Sequence, residues 1–397
     1  MVQGTVAPGF EAVRDAFAEG QKPDRGGAQL CVYARGRKVV DLWTGQDVVN
    51  NRPYDGETLT VLMSCTKAVV AVCALMLHER GVMDVEAPVA RYWPEFATAG
   101  KEAVTVAQLL SHSCGLAGID PEAGIDAPAM VDWDRCVSAL AAMRPLWAPG
   151  SAYMYHFITY GYLVGEVIRR VSGKSVGAFF AEEIAGPLAL DLWIGLPAAK
   201  QSHVAPHFRT NPAFERDGLT SFFKGMGFDT EERVLATMID TMVATDCLIE
   251  LMNTDPFRAA EVPAGNGVGN ARSLAKMYAA CIGEVDGVRL LRPETLAMAR
   301  APRTDALAGP PPFDAMPRAG APQRFGLGFE LPRSILPMFG EGSFGHPGAG
   351  GRVAYAHPEK GMAAAYVCNN LFWNGQTADP RWVGWSDALQ RIANAGP

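Results

Sequence analysis

The 397 residues are enough for a full hydrophobic core, and 49% are apolar against 19% charged, a globular composition that excludes a disordered or fibrous chain. A net charge of −7 without a dense Lys/Arg cluster makes nucleic acid a poor partner. The longest apolar run, Ala68–Leu77, is too short to span a membrane. With eight cysteines lacking paired spacing and no visible secretory signal, these features predict a cytoplasmic protein with buried free thiols.

The N-terminal part predicts a helix followed by a β-hairpin. Residues 10–20 carry apolar side chains at helical spacing, and the runs Ala28–Ala34 and Lys38–Trp43 flank a turn at Arg35–Arg37. A helix-rich middle follows. Periodicity, capping residues and breakers predict its helices over Ala68–Arg80, Val85–Trp93, Val106–Ser111, Asp132–Ala142, Tyr160–Val171, Val176–Ile184 and Ala271–Gly283.

The C-terminal part returns to strands after a long loop over residues 303–322. Its predicted elements are three strands and a helix over Phe325–Leu331, Arg352–His357, Gly361–Asn369 and Trp382–Ala395. Because strands lie at both ends of the chain, they can share one antiparallel sheet. We expect an α+β fold in which residues 1–62 and 290–397 form the sheet domain, residues 63–289 form a helical domain, and the active site lies at the junction.

Three Ser-x-x-Lys tetrads place a hydroxyl and an amine one helical turn apart, so that the amine can serve as base for the hydroxyl. Ser64–Lys67 opens an apolar helix, where the helix dipole favours a developing anion and burial lowers the pKa of the lysine. The alternative is that Ser64 is only an N-cap and that Lys67 reaches solvent. We expect Ser273–Lys276 on the solvated face of a helix, and Ser221–Lys224 in an irregular, mobile cover segment.

Ser175 is a competing nucleophile. It lies in Gly173-Lys-Ser-Val-Gly177, which matches the Gly-x-Ser-x-Gly elbow of α/β-hydrolases. That elbow needs a strand before the serine, whereas the preceding residues have helical spacing. We therefore interpret Gly173 as the residue that ends one helix and Ser175 as the N-cap of the next.

The segment Ser64-Cys-Thr-Lys67 and its surroundings resemble the serine β-lactamase/penicillin-binding-protein superfamily, and in particular its class C-like carboxylesterases, often called family VIII. The resemblance extends over about residues 28–369. Its further landmarks follow in the family's order and are Leu109-Leu-Ser-His-Ser-Cys-Gly-Leu116, Pro149-Gly-Ser-Ala-Tyr-Met-Tyr155, Arg324-Phe-Gly-Leu-Gly-Phe329 and His346-Pro-Gly348. This combination is far more specific than a single tetrad.

The resemblance implies a β-lactamase/transpeptidase-like fold and a two-step acyl transfer. Ser64 is then the nucleophile, Lys67 is its base or the partner of that base, and Tyr155 passes the proton to the leaving group. The backbone N–H groups of Ser64 and Ala349 are expected to form the oxyanion hole. Whether Lys67 or Tyr155 is the general base stays open, because the two groups titrate as a pair.

The second and third motifs depart from the family pattern. Phe157 replaces an asparagine that binds the acyl-amide of a β-lactam or peptide, and His346-Pro-Gly348 replaces Lys-Thr-Gly. Pro347 has no hydroxyl and His346 is largely neutral near pH 7, so both changes weaken the site for a substrate carboxylate. We expect hydrolysis of small to medium carboxylic esters without metal or cofactor, and slow or absent β-lactam turnover. A further expectation is that His346 polarises Tyr155.

The surroundings of the site are less defined by the sequence. Residues 200–265 and 303–322 are interpreted either as covers around an apolar pocket or as unrelated surface loops, and Leu371-Phe-Trp373 is a further candidate for the pocket wall. The expected partner is a small-molecule ester, with no membrane partner. The alternatives are an acyltransferase or amidase with the same acyl-serine, and a penicillin-recognising binding protein without turnover.

Overall fold

The computed structural model of the chain describes residues 1–209, 213–315, 322–372 and 377–395. The strands of these residues are β1 (Gln3–Val6), β2 (Ala28–Ala34), β3 (Arg37–Thr44), β4 (Gln46–Asp47), β5 (Arg52–Pro53), β6 (Thr60–Val61), β7 (Leu192–Trp193), β8 (Phe208–Arg209), β9 (Val268–Gly269), β10 (Phe344–Gly348), β11 (Arg352–His357), β12 (Met362–Cys368) and β13 (Asn370–Leu371). The helices are α1 (Glu11–Gln21), α2 (Cys65–Glu79), α3 (Val106–Leu110), α4 (Trp133–Ala142), α5 (Thr159–Ser172), α6 (Val176–Phe180), α7 (Gly186–Leu188), α8 (Arg216–Gly225), α9 (Arg233–Leu251), α10 (Asp255–Ala259), α11 (Ala271–Ile282), α12 (Pro293–Ala299) and α13 (Pro380–Ala395).

Both ends of the chain supply strands to one antiparallel sheet of six strands, in the order β1-β3-β2-β12-β11-β10. The central strands β2 and β12 are buried along their whole length, because α1 and α13 cover one face while α2 and α11 pack on the other. The predicted α+β fold with a sheet from both termini is confirmed. Helix α11 packs on this sheet although it falls within the segment expected to form the helical domain.

Helix α2 connects the sheet to the helical region and carries the first motif at its start. All residues from Cys65 to Leu77 are buried, and a helix that is apolar all round is stable only inside a core. It packs against α5, α6 and β10. The helix ends near Gly81, whose φ of +73° is the left-handed conformation expected just after a helix C-terminus. The buried helix therefore fixes the positions of the side chains at its N-terminal end.

The predicted helix over Val85–Trp93 is wrong. Only a single 3₁₀ turn forms there, at Val89–Arg91. The residues before it form a turn closed by the N–H of Ala87 and the carbonyl of Asp84 at 3.1 Å. The next residues pair with the chain around Thr105, through a bridge at Pro88 and a hydrogen bond from the N–H of Val89 to the carbonyl of Val104 at 2.7 Å. Pairing between two segments outweighs the local preference for helix here.

The predicted strand over Phe325–Leu331 is also wrong. The segment folds into a tight turn through Gly328, which has a φ of +78°, and the N–H of Gly326 donates to the carbonyl of Phe329 at 3.0 Å. Isolated bridges join Glu330 to Phe325 and to Gly345, beside the end of the sheet. The apolar residues that suggested a strand are buried within this turn.

The described part of residues 200–265 contains three α-helices that were not predicted from the sequence, α8, α9 and α10. The segment Ser221–Lys224 is therefore helical rather than irregular. No helix within the described ranges is long and apolar enough to cross a membrane. All eight cysteines are free thiols, and all except Cys247 are buried.

Candidate active site

Ser64 lies in the turn between β6 and α2, directly before the first helical residue. The preceding residue, Met63, has a φ of +51°, a conformation that non-glycine residues adopt at a cost and that concentrates at functional sites. The turn is held by Thr66, whose hydroxyl donates to the carbonyl of Met63 at 2.7 Å and accepts from the N–H of Gly267 at 3.0 Å. Ser64 occupies the N-cap position, yet its side chain makes no capping hydrogen bond. Its hydroxyl is therefore available for other contacts.

Lys67 is fully buried, and its amine has three neighbours at hydrogen-bond distance. Nζ lies 3.2 Å from Ser64 Oγ, 2.7 Å from the carbonyl oxygen of Phe157 and 2.8 Å from that of Ala264. Burial holds the pKa of Lys67 well below its ordinary value. A neutral amine has two N–H donors, which the two carbonyls accept, and one lone pair. The remaining direction leads to Ser64, so Lys67 can accept the proton of the hydroxyl.

Tyr155 completes the group at the start of α2. Its ring centroid lies 4.8 Å from Lys67 Nζ. Burial raises the pKa of Tyr155 well above its ordinary value, although its interaction with the side chain of Ser64 opposes this effect. Tyr155 therefore holds its proton at neutral pH and is suited to donate it.

The ring of Phe157 stands beside Tyr155, with centroids 5.1 Å apart in an edge-to-face arrangement. Its side chain is half-buried, and its backbone carbonyl accepts the Lys67 hydrogen bond. The position thus contributes twice, once through a main-chain atom that orients the amine and once through an apolar ring at the site. The residue type predicted only the second contribution.

The third motif lies at the end of β10 and reaches the turn before Ser64. A Cβ at Gly348 would lie 2.5 Å from the carbonyl oxygen of Leu62 and 3.2 Å from Met63 Cβ, so only glycine allows this approach. Ala349 follows directly and is exposed. The close approach at Gly348 brings the end of the third motif next to Leu62 and Met63, the two residues before Ser64.

His346 is buried in the same motif, with its ring centroid 5.9 Å from that of Tyr155. Its Nδ1 lies 2.6 Å from the carbonyl of Pro347, and its Nε2 has no hydrogen-bond partner among the described residues. Burial lowers the pKa of His346 to about 3, and the nearby Lys67 adds to this effect. The imidazole is therefore neutral at physiological pH and supplies no positive charge to a substrate.

Two histidines that were not predicted from the sequence, His112 and His156, lie near Tyr155. The backbone N–H of His156 donates to His112 Nδ1 at 3.1 Å, and the ring of His112 packs 5.0 Å from that of Tyr155 and 4.5 Å from that of Phe325. Burial lowers the pKa of His112 well below its ordinary value. The neutral ring of His112 thus packs directly on Tyr155, and the ring of His156 packs on that of His112 at 5.3 Å. The segment Leu109–Leu116 carried the signal, but the sequence alone gave His112 no role.

Two other candidate serines have structural contacts. Gly173 ends α5 with a φ of +72°, and Ser175 is the N-cap of α6, where its Oγ accepts from the N–H of Ala178 at 3.2 Å and donates to Glu261 at 2.6 Å. A helix precedes this serine, so the requirement for an α/β-hydrolase elbow is not met. Ser273 is buried rather than solvated, which corrects the sequence prediction, and its Oγ accepts from the N–H of Asp191 at 2.8 Å.

The two segments expected to cover the site contact each other, and one of them contacts Tyr153, two residues before Tyr155. The carbonyl of Ala308 accepts from the N–H of Tyr153 at 3.0 Å, and Phe313 packs 6.3 Å from the ring of Phe223 on α8. Phe372 is 45% exposed. Trp373 and residues 316–321, which the sequence analysis included in the pocket wall and the cover, lie outside the described residues.

A serine hydroxyl beside a buried amine and a tyrosine, at the junction of a sheet and a helical region, is the arrangement expected of a serine hydrolase. A sequence model of the β-lactamase family matches residues 13–387. The esterase/β-lactamase LipL of Mycobacterium tuberculosis is 33% identical over 379 residues, which cover 93% of this chain and 83% of LipL.

Solved structures match the fold of this chain over nearly its whole length. A penicillin-binding-protein homologue from Caulobacter crescentus is 34% identical, with a TM-score of 0.82 over 98% of this chain and 99% of the homologue. A family VIII carboxylesterase is 33% identical, with a TM-score of 0.80 over 98% of this chain and 99% of the carboxylesterase. The chain belongs to the β-lactamase family, within the serine β-lactamase-like esterase superfamily, and it is a hydrolase.

Proposed function

We propose that this chain hydrolyses carboxylic esters through a covalent acyl-enzyme at Ser64. The observation that carries the proposal is the setting of Lys67, whose buried amine has two backbone carbonyls and the hydroxyl of Ser64 as its neighbours. No carboxylate is paired with this amine among the described residues, so no ion pair there offsets the burial that lowers the pKa of Lys67. Relatives named as esterases support the ester as substrate.

In the acylation step, Ser64 Oγ attacks the carbonyl carbon of the ester while its proton passes to Lys67 Nζ. The backbone N–H groups of Ser64 and Ala349 donate to the oxygen that becomes negative, and preorganised donors of this kind are worth roughly 3–4 kcal/mol each. The bond to the alcohol oxygen then breaks, and Tyr155 protonates the leaving alkoxide. Lys67 returns a proton to Tyr155, which restores both groups.

In the deacylation step, water takes the place of the alcohol. Its proton moves through Tyr155 and Lys67 as its oxygen attacks the acyl carbon, and the same two N–H groups bind the second oxyanion. Cleavage of the bond to Ser64 Oγ releases the carboxylic acid, and the proton returns to the serine. The cycle consumes one water and needs no further reactant.

The surroundings favour neutral substrates over β-lactams. His346 is neutral because burial lowers its pKa to about 3, and Pro347 has no hydroxyl, so neither side chain pairs with a substrate carboxylate. Phe157 places a ring rather than an amide beside Tyr155. We therefore propose small to medium neutral esters as substrates, with β-lactam hydrolysis slow or absent.

The test is hydrolysis of p-nitrophenyl acetate and butyrate by the wild type, Ser64→Ala and Ser175→Ala, with a cephalosporin as a second substrate. The proposal predicts that Ser64→Ala alone abolishes ester turnover and that the cephalosporin reacts far more slowly than the ester. Ester turnover that survives in Ser64→Ala would disprove the acyl-serine. Cephalosporin hydrolysis at the rate of the ester would disprove the substrate preference.

A further inference from the structure

Arg352 is a fully buried cation that no motif accounts for. It is the first residue of β11 and has an exposed fraction of 0%. Among the described residues no carboxylate forms an ion pair with it, and its Nη2 has no hydrogen-bond partner there. A charge without such compensation is costly to bury, so its position calls for a functional account.

The guanidinium joins the two segments that carry the proposed oxyanion donors. Its Nε donates to the carbonyl of Val61 at 3.1 Å, in the strand that leads to Ser64, and its Nη1 donates to the carbonyl of Ala349 at 3.1 Å. A planar guanidinium with a fixed fork of donors is a rigid spacer between two acceptors. The distance between the two segments therefore depends on one side chain.

The carbonyls that follow Ala349 are held in the same way. Arg381 Nη2 donates to the carbonyl of Gly350 at 2.7 Å, and Trp382 Nε1 donates to that of Gly351 at 2.8 Å. Three consecutive carbonyls after the third motif thus bind side-chain donors in the protein interior. This arrangement fixes the backbone of the turn on which Ala349 presents its N–H.

The two arginines that bind the carbonyls of this turn differ in whether carboxylates lie beside them. Arg381 forms ion pairs with Asp24 at 2.8 Å and with Asp379 at 2.7 Å, so its charge is neutralised locally. The charge of Arg352 has no such carboxylate partner among the described residues. Its field reaches the start of α2, where burial raises the pKa of the Cys65 thiol to about 12 and the guanidinium of Arg352 is the first of the effects that oppose the rise.

We infer that Arg352 is a positioning residue for the oxyanion hole, which clamps the backbone of Ala349 to the strand before Ser64 and places an uncompensated positive charge behind both N–H donors. The inference rests on the proposed acyl-Ser64 function. The two N–H groups stabilise the tetrahedral oxyanion only when both lie within hydrogen-bond distance of it, and a positive charge in a poorly solvated site adds to that stabilisation. Ground-state ester binding does not need either effect.

The test compares Arg352→Met and Arg352→Lys with Lys101→Met as a matched control. Lys101 is also a fully buried cation that donates to two backbone carbonyls, those of Thr98 and Met143, but it contacts neither segment of the site. For p-nitrophenyl butyrate, we expect Arg352→Met to lower kcat about 10- to 100-fold with KM unchanged within about twofold. Arg352→Lys should restore part of kcat because it keeps the charge.

Phenylboronic acid supplies the second readout, since its adduct with Ser64 is a tetrahedral anion. Its inhibition constant should rise in Arg352→Met by about the factor by which kcat falls, while Lys101→Met lowers the melting temperature and changes neither constant. A kcat for Arg352→Met within twofold of wild type, or an unchanged inhibition constant, overturns the inference. If Arg352→Met does not fold, a several-fold lower kcat and a raised inhibition constant in Arg352→Lys support the inference, and wild-type values overturn it.

The wild-type reaction separates the two proposals. Active wild type with unaffected Arg352 variants means that only the role of Arg352 is wrong. Wild type that neither hydrolyses the ester nor binds phenylboronic acid means that the acyl-serine proposal fails, and the role of Arg352 fails with it.

Discussion

The same Ser-x-x-Lys spacing occurs at the start of α2 and at the start of α11, in very different surroundings. At α2, Lys67 lies among backbone carbonyls and Ser64 Oγ, and burial lowers its pKa. At α11, Lys276 forms an ion pair with Asp286 at 2.6 Å and donates to the carbonyl of Leu188, while Ser273 accepts from a backbone N–H. Spacing brings the two side chains to one face of a helix, but the partners of the amine decide whether it can act as a base.

The largest expected effect comes from removing each amine in turn. Lys67→Met should lower kcat/KM for p-nitrophenyl butyrate about 10³-fold, because a positioned base contributes roughly 10²–10⁴-fold. Lys276→Met loses a surface ion pair and should keep kcat/KM within about twofold. Steady-state kinetics of both variants checks the contrast. Equal losses would show that the two tetrads do not differ as described.

Tyr155→Phe should lower kcat about 10²-fold, because it removes the proton donor while keeping the ring that packs on Phe157 and His112. Its control is Tyr162→Phe, which removes another buried hydroxyl, one that donates to the carbonyl of Met130. The control should cost about 1 kcal/mol of stability without lowering kcat. Full activity of Tyr155→Phe would exclude Tyr155 from the proton path.

The pH profile of the reaction shows whether Lys67 or Tyr155 is the base. The pKa of Lys67 is lowered by burial, so a larger fraction of the amine is neutral than for an exposed lysine, and its capacity to accept a proton is lost as pH falls through its pKa. We expect kcat/KM to fall about tenfold per pH unit on the acid side and to stay level up to about pH 10, because Tyr155 remains protonated. The profile would be obtained by subtracting, at each pH, the hydrolysis rate measured with Ser64→Ala from the rate measured with the wild type.

A rate that rises continuously towards and beyond pH 10 would contradict that assignment. It would mean that the phenolate of Tyr155, rather than the amine of Lys67, takes the proton from Ser64. In that case the carbonyls of Phe157 and Ala264 would serve to bind a charged lysine.

The smallest expected effect concerns the caps of the two helices. Asn270 caps α11 by accepting from the N–H of Ser273 at 2.9 Å, so Asn270→Ala should lower the free energy of unfolding by about 1 kcal/mol. Ser64 makes no capping bond, so Ser64→Ala should change it by less than about 0.5 kcal/mol. Urea unfolding of both variants checks this difference. A loss of about 1 kcal/mol in Ser64→Ala would favour the view that Ser64 is a structural cap.

The sequence allowed the prediction of the α+β fold and of the group around Ser64, because motif positions are defined by residue type. Tyr155 could be located in this way although it is 91 positions from Ser64. The carbonyls that bind Lys67 could not be predicted, since any residue type supplies a carbonyl and Ala264 is 197 positions from Lys67. Arg352 was missed for a related reason, as both of its acceptors are main-chain atoms.

Local patterns were least informative where tertiary contacts determine the conformation. Val85–Trp93 forms turns rather than a helix because its first residues pair with the chain around Thr105, and the turn at Gly328 packs on α2, where a Cβ would lie 2.4 Å from Ala71 Cβ. Helix α9 was missed because its buried side chains do not form one clear stripe. In each case the deciding partner is distant in sequence.

The most direct test of the acyl-serine is to trap it. The protein would be mixed with p-nitrophenyl butyrate, quenched in acid within the first turnovers, digested and analysed by peptide mass spectrometry. The account predicts a butyryl group on Ser64 in the wild type and in Ser175→Ala, and none in Ser64→Ala. A butyryl group on Ser175, Ser221 or Ser273, or turnover without any acylated serine, would contradict it.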